Sequence, residues 1–108
     1  MIISFHTGEL RDACSTLKDA EARLGALDAQ ALIGALADLE ALETAADLLS
    51  FFGQDANLVA DNVIELSIGA HHRAMLVVVG NRHGRVADGG PDWATVRRMK
   101  LMDPIKWR

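Results

Sequence analysis

The hydrophobic pattern of this chain changes its period once, and that change orders the layers of any fold it can adopt. From Leu10 to Gly53 the apolar residues recur at helical spacing, so each stretch shows one apolar face. From Ile64 they alternate: Ile64, Leu66 and Ile68 are separated by Glu65 and Ser67, the pattern of a strand with one buried side. Helices early and consecutive strands late describe an α+β domain, with helices packed on one face of a small, mostly antiparallel sheet.

The boundaries follow from local chemistry. Ile2, Ile3 and Phe5 are bulky and β-prone, which predicts a short strand over residues 1–6. Thr7 is placed to cap a helix, and Glu9 to favour its dipole. The stripe Leu10, Ala13, Cys14, Leu17, Ala20 and Leu24 predicts one helix over residues 9–24, stopped by Gly25. Asp28 is expected to cap a second helix, whose stripe is Leu32, Leu36, Leu39 and Leu42, with Ile33 and Ala35 beside it. Thr44 to Asp47 resembles a capping box with Asp in place of Glu, opening a third short helix that ends at Gly53. After the alternating strand, Gly69-Ala70-His71 forms a turn. Arg73 to Val79 then reads as a central strand buried on both faces. Gly80 to Asp92 is a loop with four Gly and one Pro. Trp93 to Met102 is expected as the last strand, and its alternation slips between Val96 and Met99, which predicts a bulge or strong twist. Pro104 ends the ladder on that side.

At 108 residues the chain has room for one domain and one core. No apolar run approaches the roughly 20 residues that span a bilayer, and the start lacks the basic and apolar stretches of a secretory signal. The single cysteine, Cys14, excludes an internal disulfide framework and a multi-cysteine zinc site within one chain. The expected compartment is therefore the reducing cytoplasm.

The net charge of −4 conceals a split. Residues 1–65 carry three basic side chains and twelve acidic ones; residues 66–108 carry eight basic and three acidic. The second half suits a polyanion, while the first is a solvated surface or faces a basic partner. Arg97, Arg98 and Lys100 fall on the last strand, Arg82, His83 and Arg85 in the loop before it, and Lys106 and Arg108 flank Trp107. Cations interleaved with an indole suit a nucleic acid: charge for phosphates, a flat ring for bases. Arg73 opens an otherwise apolar run and needs a counter-charge. It either pairs with an acid such as Glu65 across the hairpin or projects into a cleft. His71 and His72 are neighbours on a strand and point to opposite faces, so together they are poor metal chelators. An exposed histidine there would carry protons near neutral pH, and His72 is the better placed. Cys14 lies on the apolar stripe and reads as a small core residue.

In order and spacing these features resemble the RelE/ParE superfamily of bacterial type II toxin–antitoxin toxins, on the HigB-like, plasmid-maintenance-killer branch. The resemblance rests on Met1-Ile2-Ile3-Ser4-Phe5 running into Leu10-Arg11 and Cys14, on Ala22-Arg23-Leu24-Gly25 and Leu36-Ala37-Asp38-Leu39, on Glu65-Leu66-Ser67-Ile68 leading to Arg73, and on Asp92-Trp93, Val96 and Met99-Lys100-Leu101-Met102. It covers nearly the whole chain. It implies a RelE-like fold and ribosome-dependent, metal-free cleavage of mRNA without a cofactor. It also implies a tightly bound antitoxin, expected to be a helix-turn-helix protein. In that resemblance Arg73 contacts the scissile phosphate and His72 carries a proton. Arg82, His83, Arg85, Arg97, Arg98, Lys100 and Trp107 hold RNA. Relatives often end the last strand with an acid–Tyr–His triplet; the ungapped positions here are Lys106, Trp107 and Arg108, and the chain has no tyrosine. Lys106 and Arg108 then stabilise charge rather than move protons. The alternatives within the same fold are a toxin aimed at a protein such as gyrase and a silent regulatory partner of the antitoxin.

Overall fold

The computed structural model describes residues 1–80, 84–87 and 89–106, the last two as backbone. Alternation in strand β3 (Val63–Ile68) sets Ile64, Leu66 and Ile68 in one fully buried row. β3 pairs antiparallel with β2 (Ala56–Ala60) on one side and with β4 (His72–Val78) on the other. β4 pairs antiparallel with β5 (Arg98–Leu101), and β5 pairs in parallel with β1 (Ile2–Phe5). The order across the sheet is β1-β5-β4-β3-β2, and a two-residue strand β6 (Ile105–Lys106) adds to β4 at His72 and Arg73. Four helices lie between β1 and β2 in the chain: α1 (Gly8–Ala13), α2 (Leu17–Leu24), α3 (Ala26–Ala41) and α4 (Ala45–Phe52). Leu10, Leu32, Leu36, Leu39 and Leu48 from these helices pack on Ile64, Leu66, Ile68, Leu76, Met99 and Leu101. The molecule is thus a small α+β domain, with an N-terminal strand and helices on one side of a mostly antiparallel sheet. No helix among the described residues is long and apolar enough to cross a membrane.

Several local readings of the sequence hold in detail. Thr7 caps α1, its Oγ1 accepting the Leu10 N–H at 3.0 Å. Thr44 and Asp47 form the reciprocal box at α4: Thr44 Oγ1 accepts the Asp47 N–H and Asp47 Oδ2 accepts the Thr44 N–H, each at 3.3 Å. β4 is central, although its outward residues Arg73, Met75 and Val77 are half-buried rather than fully covered.

Other readings are corrected. The helix expected over 9–24 is two helices, because the Ser15 hydroxyl donates to the Arg11 carbonyl (2.7 Å) and Thr16 caps α2 by accepting the Asp19 N–H (3.1 Å). The apolar stripe runs on across the break, so periodicity alone is blind to it. Asp28 does not cap α3. Gly25 occupies the cap at φ 84°, and Asp28 sits within the first turn, 4% exposed. The last strand starts late: Trp93–Thr95 is a single 3₁₀ turn, held by Asp92 Oδ1 accepting the Ala94 N–H at 3.2 Å. That turn, not a bulge, is why the alternation slips before Arg98. β2 was not expected, since four of its five residues are exposed and show no alternation. The chain also resumes pairing after Pro104, through β6.

The β3–β4 turn depends on Gly69. Its φ is +61°, and a Cβ there would collide with the Asp28 carboxylate, 2.7 Å from Cγ. Gly25 shares the positive φ but has nothing within 4 Å of a Cβ. Gly69→Ala should therefore cost about 2 kcal/mol or more, a Tm drop on the order of 10 °C. Gly25→Ala should cost about half that, the backbone strain alone. Thermal unfolding followed by circular dichroism measures both; equal losses would mean the collision is absorbed.

Candidate functional site

Pairing register decides which side chains share the helix-free face of the sheet, because partners across a ladder point the same way. Ser67 stands opposite Arg73, Glu65 opposite Met75, and Val77 opposite both Val63 and Lys100. Ser4 is opposite Lys100, and Ile2 opposite Arg98. One face therefore gathers Arg73, Lys100 and Arg98 with Glu65, Ser4 and Ser67. Arg98 is exposed and Lys100 half-buried. The two share a face, as alternation in the last strand predicts.

Of the two placements open to Arg73, pairing with the acid across the hairpin is the one found. Its Nη1 donates to Glu65 Oε2 at 3.3 Å, with the arginine side chain 34% exposed. Glu65 is 8% exposed despite lying on the open face, so the guanidinium both neutralises and roofs it. A cation beside a carboxylate can hold an anion or exchange a proton with one where solvent reaches the pair. Glu65 entered the sequence reading only as a counter-ion. Its alternation with Ile64 and Leu66 places it opposite the core.

His72 is placed otherwise than its turn-proximal position suggested. It is not exposed: at 8% it lies on the helix-facing side, opposite in direction to Arg73, because successive strand residues alternate. Its Nδ1 is 2.6 Å from Asp28 Oδ2. Asp28 Oδ1 also accepts the Ala70 N–H at 3.2 Å, and Oδ2 the His71 N–H at 3.1 Å. One carboxylate on α3 therefore ties down the whole turn. The hydrogen bond from His72, followed by those from the two backbone N–H groups, holds the Asp28 carboxyl below the ordinary carboxylate range, against the opposing effect of burial. No sequence signal announced this contact, since an acid in a first helical turn is commonplace.

The remaining candidates are dispersed. Arg97 is exposed just before β5. Arg85 is exposed in the loop, and its Nη1 donates to the Gly89 carbonyl at 3.1 Å. β6 brings the backbone of Lys106 into register with His72, and that of Ile105 with Arg73. Arg82, His83, Trp107 and Arg108 lie outside the described residues. Cys14 is half-buried, and burial pushes its thiol up, which suits a packing residue more than a nucleophile. Among the described residues no three His, Cys, Asp or Glu side chains gather as metal ligands.

The Asp28 clamp has a pH signature. A carboxyl whose folded pKa lies below its unfolded value stabilises the fold at all pH above the ordinary aspartate range, and that stabilisation is lost as pH falls through the folded value. Asp28→Asn should lower stability at neutral pH by about 1–3 kcal/mol, since an amide cannot accept from all three donors. The gap between parent and variant should narrow on acidification below the aspartate range. Urea unfolding at a series of pH values checks this, and a pH-independent gap would assign the loss to packing.

Comparison with protein-family models, with curated proteins and with solved structures gives no match for this chain, so the site is read from its own geometry.

Proposed function

We propose that this chain is a toxin of RelE/ParE type, in a RelE-like fold, that cleaves mRNA on the translating ribosome. The observation that carries the reading is the Arg73–Glu65 pair on a sheet face that also carries Lys100, opposite Val77 further along β4, and Arg98 beyond it. RNA supplies its own nucleophile, the 2′-OH. Cleavage needs a base for that proton, cations for the charge that grows on phosphorus, and a leaving 5′-oxygen. Glu65 Oε2 takes the base role, displaced from Arg73 as the scissile phosphate takes its place on the guanidinium. The 2′-oxygen then attacks phosphorus as the P–O5′ bond breaks, and the departing 5′-oxygen takes a proton from water, giving a 2′,3′-cyclic phosphate and a 5′-hydroxyl end. Lys100 and Arg98 extend the cationic track along β5, Arg97 and Arg85 are further exposed cations, and Arg82, His83 and Trp107 are the remaining proposed RNA contacts. Lys106 and Arg108 are proposed to add positive charge that stabilises the transition state. His72 serves the site from the opposite side, by fixing the turn from which Arg73 leaves. A cognate antitoxin, expected as a helix-turn-helix protein, would silence the chain most directly by covering this face. The cytoplasm, where ribosomes are, is the corresponding compartment.

The test is induced expression with mapping of mRNA 5′ ends on translating ribosomes. New ends within codons are expected for the parent chain. Glu65→Gln should keep the fold and RNA affinity yet slow cleavage by about 10²-fold or more. Arg73→Lys retains a cation for Glu65 but loses the planar fork, and should weaken cleavage without unfolding the chain. Intact mRNA with growth arrest and DNA damage would instead point to a protein target such as gyrase.

A further inference from the structure

We propose that the free edge of β2 receives an extended apolar segment of a partner protein, flanked by lysine or arginine. Among the described residues β2 is the outermost strand on its side of the sheet, bonded to β3 alone. Its sequence, Ala56-Asn57-Leu58-Val59-Ala60, contains no charge and no proline, the residues that ordinarily keep exposed edges from pairing. Leu58 is 55% and Val59 49% exposed. The single irregularity is a register shift between Leu58 and Ala60. Beside it runs a groove of about 380 Å³ whose walls include Leu58, Val59, Val86, Pro91 and Trp93. An unpaired backbone edge next to an apolar groove offers ladder hydrogen bonds and a place for alternate side chains, the two requirements for binding an extended peptide.

Charge chooses the occupant. Asp55 precedes the strand and Asp61 follows it, both exposed, and Asp61 also lines the groove. The sequence has no lysine or arginine between Arg23 and Arg73. Arg85, on the loop across the groove, donates to Gly89 within its own loop. A second copy fits poorly: antiparallel pairing of two β2 edges about Leu58 sets Asp55 of each copy against Asp61 of the other, two like-charge pairs directly opposite. A basic-flanked segment turns both repulsions into attractions. The site is separate from the Arg73 face and stands without the RNA reading.

Two labelled synthetic peptides test this against the full chain by fluorescence anisotropy, with no RNA present. Both carry the same alternating Val-Thr core; one is flanked by lysines, the other by glutamates. The lysine-flanked peptide should bind saturably and about tenfold or more tighter at low salt, with the gap shrinking as salt is added. Asp55→Lys combined with Asp61→Lys should reverse the preference. Leu58→Asp should weaken binding by about tenfold or more, with circular dichroism confirming the fold. Absence of saturable binding, equal affinity for both peptides at low salt, or a concentration-dependent dimer abolished by Leu58→Asp would each overturn the proposal.

Discussion

The carboxylate of Asp28 is the contact on which the β3–β4 hairpin and the strands aligned on it depend. Most of the helix–sheet interface is apolar, and apolar packing is tolerant of small slides because it has no direction. Asp28 supplies direction. Three donors, two from the turn backbone and one from His72, converge on one buried group at the start of α3. A buried carboxylate with satisfied partners is strongly specified in position, since losing any of them leaves charge stranded away from water. The turn held in this way launches β4, and β4 is the strand against which β3, β5 and β6 all align. Gly69 is the corollary: the carboxylate approaches so closely that no side chain fits there.

Features encoded by neighbours along the chain were readable from the sequence; those encoded by distant contacts were not. The row Ile64, Leu66 and Ile68 announces a strand because each residue contributes to one face. Thr44 and Asp47 announce a helix start because cap and partner are three residues apart. The break at Ser15 and Thr16 was hidden by an apolar stripe that suits two short helices as well as one long one. β2 was hidden for the opposite reason: an edge strand lying mostly in solvent needs no alternation. Asp28 and His72 are 44 residues apart, so neither predicts the other. The candidate site follows the same rule. Arg73 stood out as a charge in an apolar run and Glu65 was nameable across the hairpin. The burial of His72 on the other face required the helix layer.

Charge and architecture are distributed together. The acids of α1 to α4 are mostly exposed on the helix layer, whereas Arg73, Arg98 and Lys100 project from the far side of the sheet. Two faces of opposite sign make the molecule an electric dipole at the scale of the domain. A polyanion approaching it is repelled by one layer and drawn to the other, so encounter is oriented before any contact forms. The Arg73–Glu65 pair moderates this at close range, because an incoming anion must compete with a carboxylate already in place.

The parallel pairing of β1 with β5 has a consequence for how the chain is made. Ile2 to Phe5 can only take their place beside Arg98 to Leu101, so the earliest segment waits for one of the latest. Until then β1 lacks its neighbour and β4 has an unbonded edge, although the helices and the β2–β3–β4 meander are built from contacts closer in sequence. During synthesis those parts form first, and the strand that joins the two ends of the sheet comes last. Lys100 and Arg98 reside on that strand. The cationic face that begins with Arg73 on β4 is therefore completed only when β5 takes its place between β4 and β1.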